Sequence, residues 1–408
     1  MNKPEKNLRI LFLSERFLFP MDTGGKIRTG KILEHLNKRF SITIVSNVES
    51  PKDDSYVPEM QKLCDRFVAV ARTEPRRYTL RFYWEIFKKQ FSIYPVTMLN
   101  DFSRELEKAV LKELNANKYD LAICDFMQST LNFRHVRNIP RILFQHNVEA
   151  TISLRHMQRS KDPISKFFWW LQYQKMYYHE KKQCRLFDTV IAVSDADQHR
   201  MERWYELSNV KTIPTGVDTD FYSTNGKTER GKQIVFVGGM DWLPNNDAMY
   251  YFLEEIFPII QRVEPDVTFT IVGRNPSTQF KRFAQSYSNV KVTGWVEDTR
   301  PYISDSAVFL VPIRIGGGTR MKIYEGMAMG KAIVSTTIGA EGLPLQHAEH
   351  IFLVDDERDF ANQVVNLLRD EKLRQKIGKQ ARQYVYDNFR WEKVADVFAK
   401  VCQDTIKN

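Results

Sequence analysis

Residues 311–341 read VPIRIGGGTRMKIYEGMAMGKAIVSTTIGAE. An apolar run at 308–313 leads into three consecutive glycines, Gly316, Gly317 and Gly318, and a helical pattern opens near Thr319. A glycine-rich loop feeding a helix N-terminus exposes backbone N–H groups where the helix dipole favours negative charge, which suits a phosphate. Arg320 and Lys322 add two full positive charges at the same end. Helix starts favour acids, so two cations there make structural sense once an anion joins them. Glu325 follows Lys322 by three residues on nearly the same face. A carboxylate beside a diphosphate is well placed for ribose hydroxyls. The loop reads as a site for a nucleoside diphosphate.

Outward from this loop, short β-branched or aromatic runs alternate with helical stretches, the pattern of βαβ units and parallel sheets. Strand candidates in the first half are 8–13, 42–46, 67–70, 121–124, 141–145 and 189–193. In the second half they are 233–237, 268–272, 290–293, 308–311, 332–335 and 351–354. Between the halves, 215–232 is polar, contains glycine and lacks periodicity. The repetition is one of architecture: two Rossmann-like domains, with ligands expected beyond the C-terminal ends of the strands.

Composition agrees. At 408 residues the chain exceeds the usual ceiling of a single core, and 43% hydrophobic content is ample for burial. No run of about 18 apolar residues marks a transmembrane helix. The N-terminal MNKPEKNLRILFLS reads as the approach to a first buried strand rather than a signal peptide. Cys64, Cys124, Cys184 and Cys402 form no Cys-x-x-Cys pair, as expected of buried thiols in a cytosolic protein. The eight histidines have no metal-ligand spacing, and Asp53-Asp54 reads as a solvated pair. Residues 1–215 hold 36 Lys+Arg against 25 Asp+Glu, so the first half carries the whole of the +10 net charge. With no nucleic-acid recognition motif, a negatively charged membrane or an anionic lipid-linked substrate fits this excess better.

The loop resembles the donor-site signature of retaining glycosyltransferases of the GT-B fold, in particular glycosyltransferase family 4. That signature is a glutamate, seven residues and a second glutamate, with the helix ending in a run like Glu-Ala-Met-Ala-x-Gly. Glu325, Gly326, Met327, Ala328, Met329 and Gly330 match its second half. The first glutamate falls at Gly317, which resembles a branch with Gly-Gly-Gly-Thr-Arg-x-Lys in this place and leaves that glutamate's sugar contact unfilled. The resemblance implies an α/β fold of two Rossmann-like domains with parallel sheets facing across a cleft. It assigns 1–215 to the acceptor side and 216–385 to the nucleotide-sugar donor, with a C-terminal helix at 386–408 packing back on the first domain.

Further positions match family landmarks. Gly238-Gly239 follows a strand at the turn that approaches the donor phosphates, though the usual Arg and Lys are absent before Asn246, so Arg320 and Lys322 are expected to supply that charge. Alone, this glycine pair reads as an ordinary βα turn. Arg274 ends another strand. Gly294-Trp295-Val296 with Asp298 resembles the nucleobase turn, with simple packing an equal reading for Trp295. Gly24 and Gly25 open a helix expected over 27–39, in the loop that meets acceptor and donor phosphate in the family. His146 closes a strand ahead of Asn147 and Glu149, where family members carry a histidine touching the donor sugar.

These landmarks imply transfer of a sugar from a nucleoside-diphosphate sugar to a hydroxyl of a glycan or lipid-linked acceptor, in surface polysaccharide or glycolipid synthesis. Configuration would be retained without a metal or other cofactor. Catalysis would fall to His146, Arg320 and Lys322, and donor binding to Gly238, Gly239, Arg274, Trp295, Val296, Gly317, Gly318, Thr319 and Glu325. A sugar-nucleotide epimerase and a non-catalytic membrane-docking scaffold are the alternatives. The segments 76–94 and 166–185 mix Arg and Lys with Phe, Trp and Tyr, either as core helices with solvated cations or as an interfacial surface of a cytoplasmic, peripheral protein.

Overall fold

The computed structural model describes residues 8–72, 79, 84, 87–160, 162–223, 229, 231–315 and 320–407. Gly316, Gly317, Gly318 and Thr319 lie outside the described residues, as does most of 73–86. The chain forms two compact units, Met1–Pro214 with Trp391–Asn408 and Thr215–Arg390.

Apolar runs buried on both faces belong in parallel sheets covered by helices, and both units are built this way. The first holds β1 (Arg9–Ser14), β2 (Ser41–Val48), β3 (Arg66–Ala71), β4 (Leu121–Asp125), β5 (Arg141–Phe144), β6 (Thr189–Ala192) and β7 (Val210–Thr212). Their order is β3-β2-β1-β4-β5-β6-β7, with every neighbouring pair parallel. The second holds β8 (Gln233–Val237), β9 (Thr268–Val272), β10 (Val290–Gly294), β11 (Val308–Val311), β12 (Ala332–Ser335) and β13 (Phe352–Leu353). These run parallel in the order β10-β9-β8-β11-β12-β13. In each sheet the order reverses beside the first strand, between β1 and β4 and between β8 and β11. Such a switch point opens a crevice at the C-terminal ends of the strands, where ligands bind.

The unit boundaries follow local structure. The helix Glu371–Asn388 stays with the second unit, where Phe389 stacks on Tyr324 at 4.6 Å and its carbonyl accepts from Val217 N–H at 2.8 Å. The return to the first unit therefore begins at Trp391 rather than at 386. Helix Trp391–Lys407 packs on helix Gly24–Leu36 and on β5, with Phe398 edge-on to Phe144 at 5.0 Å and Thr405 hydrogen-bonded to Thr189 at 2.8 Å. β7 escaped the sequence reading because its three residues, Val-Lys-Thr, are too few to show a period.

Candidate active site

In the first unit the switch point is occupied by a buried carboxylate. β1 and β4 are in register at Ser14 and Asp125, so both side chains meet at the sheet's C-terminal edge. Asp125 has no solvent exposure and accepts from Ser14 Oγ at 3.1 Å, from Thr29 Oγ1 at 3.1 Å and from His146 Nε2 at 2.9 Å. Burial lowers the pKa of His146 to about 4, outweighing the pull of Asp125, and nearby Arg28 lowers it further. The imidazole is therefore neutral and carries its hydrogen on Nε2. Nδ1 faces Arg28 Nη1 at 3.4 Å, and the same nitrogen of Arg28 donates to Gln145 O at 2.9 Å. Arg28 also donates to Ile213 O, and burial pulls it down to about 9, still cationic at neutral pH.

Phe126 fixes this cluster sterically. Its backbone lies at φ 64° and ψ 152°, a costly region for a bulky residue that persists only where surroundings over-determine it. Its ring stacks on His146 at 3.9 Å, and a Cβ on Gly25 would stand 2.6 Å from its edge. Gly25 is thus explained by the close approach of Phe126. Helix Gly24–Leu36 starts three residues before the expected 27, so the glycine pair forms its first turn. Asn147 is half-buried and hydrogen-bonds Glu149, whose carboxyl burial pushes upward.

A polar pocket of about 290 Å³ lies beside the cluster, lined by Glu15, Arg16, Lys26, Asn47, Arg72 and Asp101 among others. Arg16 joins the two regions, donating to Glu15 at 2.8 Å while its guanidinium lies 4.8 Å from the Phe126 ring centre. Burial, reinforced by Asp101, pushes Glu15 up to about 8 against the pull of Arg16 and Arg72.

In the second unit the helix after the glycine loop spans Met321–Ala328, with Arg320 at its N-cap rather than inside its first turn. Arg320 is 5% exposed, its guanidinium 4.8 Å over the Trp242 ring. Lys322 donates to Asn245 Oδ1 at 2.9 Å and lies 4.2 Å over the Phe236 ring, while Asn245 Nδ2 donates to Gly239 O at 2.8 Å. A Cβ on Gly238 would stand 2.5 Å from Lys322 Nζ, so the glycine leaves room for the ammonium at the end of β8. Backbone bonds from Gly238 to Val272 O and from Met240 to Arg274 O, both 2.8 Å, hold the turns after β8 and β9 together. Desolvation and the charge of Arg320 lower Lys322 to about 7, with Glu325 opposing. Burial raises Glu325, which hydrogen-bonds Tyr222. Arg320 and Glu325 thus act on Lys322 in opposite directions.

Other expected donor residues sit at the same edge. Arg274 pairs with Asp241 at 3.4 Å. Trp295 is 72% exposed, which excludes core packing, whereas Val296 packs against the core. Asp298 is held by Arg300, donating at 2.9 Å and stacked on Phe221 at 3.8 Å. The structure thus gathers Gly24, Gly25, Asn147 and His146 in one unit, and Gly238, Gly239, Arg274, Trp295, Val296, Arg320, Lys322 and Glu325 in the other. The sequence reading missed Asp125, Arg28, Thr29, Tyr222, Trp242 and Asn245. For Asp125 a signal existed: a carboxylate directly after the apolar run 121–124.

Comparison with known proteins bears on both units. Residues 32–221 match the model described as Glycosyltransferase Family 4, and residues 231–370 match Glycosyl transferases group 1. A Klebsiella pneumoniae protein described as an uncharacterized 44.6 kDa protein in the cps region is 20% identical over 401 residues, covering 95% of this chain and 97% of that one. Among solved structures, Anabaena Alr3699/HepE in complex with UDP and glucose superposes with a TM-score of 0.66 at 13% identity, over 97% of this chain and 100% of the other. TarM superposes with a TM-score of 0.70 at 11% identity, over 98% and 99%.

Proposed function

We propose that this GT-B glycosyltransferase moves a sugar from a nucleoside-diphosphate donor to a hydroxyl of a glycan or lipid-linked acceptor, retaining configuration and needing no metal. The observation that carries the reading is the Arg320–Lys322 pair at the mouth of β8, where desolvation and the charge of Arg320 push Lys322 down to about 7 against the pull of Glu325. Like charges held together in a desolvated site favour an incoming anion, and a diphosphate fits between them. A donor with UDP as its nucleotide accords with the UDP-bound relative, and a polysaccharide product with the cps-region relative.

Chemically, the acceptor oxygen bonds the anomeric carbon as the bond from that carbon to the diphosphate breaks, and the acceptor proton passes to the leaving phosphate. Preorganised donors aimed at the oxygen that gains charge accelerate such a step. Arg320, Lys322 and the amides of Gly317, Gly318 and Thr319 fill that role in the proposal. Gly238 and Gly239 let the diphosphate approach the backbone, with Arg274 beside them. Glu325 fixes the ribose, and Trp295 with Val296 receives the base. Gly24, Gly25 and Asn147 line the acceptor and phosphate loop. His146 orients the transferred sugar through Nδ1, exchanging the long contact to Arg28 for a sugar hydroxyl. The pocket around Glu15 and Arg16 takes acceptor hydroxyls, for which guanidinium N–H groups and carboxyl oxygens offer both donors and acceptors.

The test is a panel of UDP-, GDP-, ADP- and dTDP-sugars, assayed for thermal stabilisation and for transfer with and without EDTA. One base should stabilise the protein and support transfer that survives chelation, since cations and amides carry the phosphate charge. Loss of transfer on chelation with recovery on adding Mg²⁺ or Mn²⁺ would overturn the metal-free mechanism. Conversion of the free sugar nucleotide without acceptor would indicate an epimerase, and no stabilisation by any nucleoside diphosphate a scaffold.

Proton linkage offers an independent check. A diphosphate restores the charge on Lys322, so donor binding takes up protons. The phosphates of a sugar nucleotide carry no proton near neutrality, which leaves the lysine as the source of the signal. With a free-state pKa of about 7, uptake should be about half a proton at pH 7, more at pH 8 and little at pH 6. Affinity should fall as pH rises above 7. Calorimetry in buffers of different ionisation enthalpy measures the uptake, and a pH-independent enthalpy difference would refute the linkage.

A further inference from the structure

Among the described residues, nine large apolar or aromatic side chains are more than half exposed, and seven of them lie on two segments of the first unit. One segment is the helix Pro163–Cys184. Its inward side buries Gln172, Met176, His179, Glu180 and Gln183. Glu180 accepts the first N–H groups of helix Glu149–Arg159 at 3.1 and 3.0 Å, so this side is structural. Ile164, Phe167 and Tyr178, at i, i+3 and i+14, share one outward stripe. Ile164 is 83% exposed and Phe167 63%, and Trp170 stacks on Phe167 at 5.7 Å.

The second segment runs along this helix. Gln90 accepts from Gln172 Nε2 at 2.8 Å and from Lys175 Nζ at 2.6 Å, and Gln172 Oε1 accepts from Val96 N–H at 3.0 Å. Phe91 and Ile93, about four-fifths exposed, therefore stand beside the stripe, with Phe87 against Phe91 at 5.3 Å. Lys88 lies 5.6 Å over the Trp84 ring. The surrounding charge has one sign: the described residues of 151–175 include Arg155, Arg159, Lys166 and Lys175 against Asp162 alone. A contiguous apolar patch marks an interaction surface. Aromatic anchors rimmed by cations match the headgroup boundary of an anionic bilayer. A second copy seated face to face would set like charges against each other.

We propose that this face docks the protein on an anionic membrane surface. No described helix is long and apolar enough to cross a membrane. Lys181 and Arg185, within the basic segment of the sequence reading, are tied to Glu206 at 3.0 and 2.6 Å and are not the docking cations. Arg76 and Arg77 lie outside the described residues. The docking does not depend on glycosyl transfer, so either reading can fail alone.

The test is co-sedimentation of the full chain with phosphatidylcholine vesicles, with and without phosphatidylglycerol, at low and high salt. The parent should bind the phosphatidylglycerol vesicles at low salt and release them at high salt. Phe167→Ser with Trp170→Ser should weaken binding about tenfold or more. Lys88→Glu with Lys166→Glu should weaken it about 25-fold or more, since each cation near such a surface contributes about fivefold. Parent-like amide protection of β1 and β4 in both variants would show that the first unit still folds. No binding at low salt, or binding unaffected by either pair, overturns the proposal. So does a dimer of the parent, seen by sedimentation velocity, that the aromatic variant dissociates, because the face would then belong to a second copy.

Discussion

Replacing Lys322 by Met is expected to lower kcat/KM for transfer by about 10- to 100-fold, the value of one charge-assisted hydrogen bond to the departing diphosphate. The unliganded protein should be as stable as the parent or more so. Lys322 is held at a pKa of about 7 by desolvation and by Arg320, so the folded state carries an electrostatic cost that the apolar side chain removes. Burying a cation where it destabilises the empty protein is what a binding site requires and a structural site does not. Proton uptake on donor binding should vanish in the same variant. Activity within twofold of the parent, or a marked loss of stability, would show that the ammonium serves the fold through Asn245 and not the donor.

Asp125→Ala carries the second large effect, on stability. Three donors converge on this carboxylate, from Ser14, Thr29 and His146, in a place without solvent. Arg28 stands nearby as a buried cation whose charge Asp125 supports. Removing the acid leaves donors unsatisfied and a buried cation without its anion, a loss of about 3–5 kcal/mol. The two units need not unfold together, so the measurement is amide exchange in β1 and β4 as urea is raised. The protection of β8 and β11 should stay near the parent's. A loss below about 1 kcal/mol, the size of an exposed ion pair, would mean that water takes the place of the carboxylate as acceptor.

The sequence carried most of the architecture because it is written in local signals. Strands buried on both faces leave unbroken apolar runs, and all six strand candidates in the second half fell within a residue of the observed bounds, four of them without difference at either end. The glycine loop with Arg320 and Lys322 marked a helix start, and helix Met321–Ala328 begins there. Those features depend on neighbours in the chain, so the chain alone displays them.

What the sequence could not display is which distant residues meet. Asp125 and Ser14 are 111 positions apart and come together only through the pairing of β1 with β4. His146 read as a residue free to touch a sugar, yet folding commits its Nε2 to Asp125 and turns its Nδ1 toward Arg28. The aromatic-basic helix carried two equal readings until packing divided it, placing Met176, His179 and Glu180 inward and Ile164 and Phe167 outward. Periodicity and composition fix what a segment is, because they act along the chain. Burial, pKa and partnership belong to the tertiary structure, because desolvation and charge act through space between residues that the sequence keeps apart.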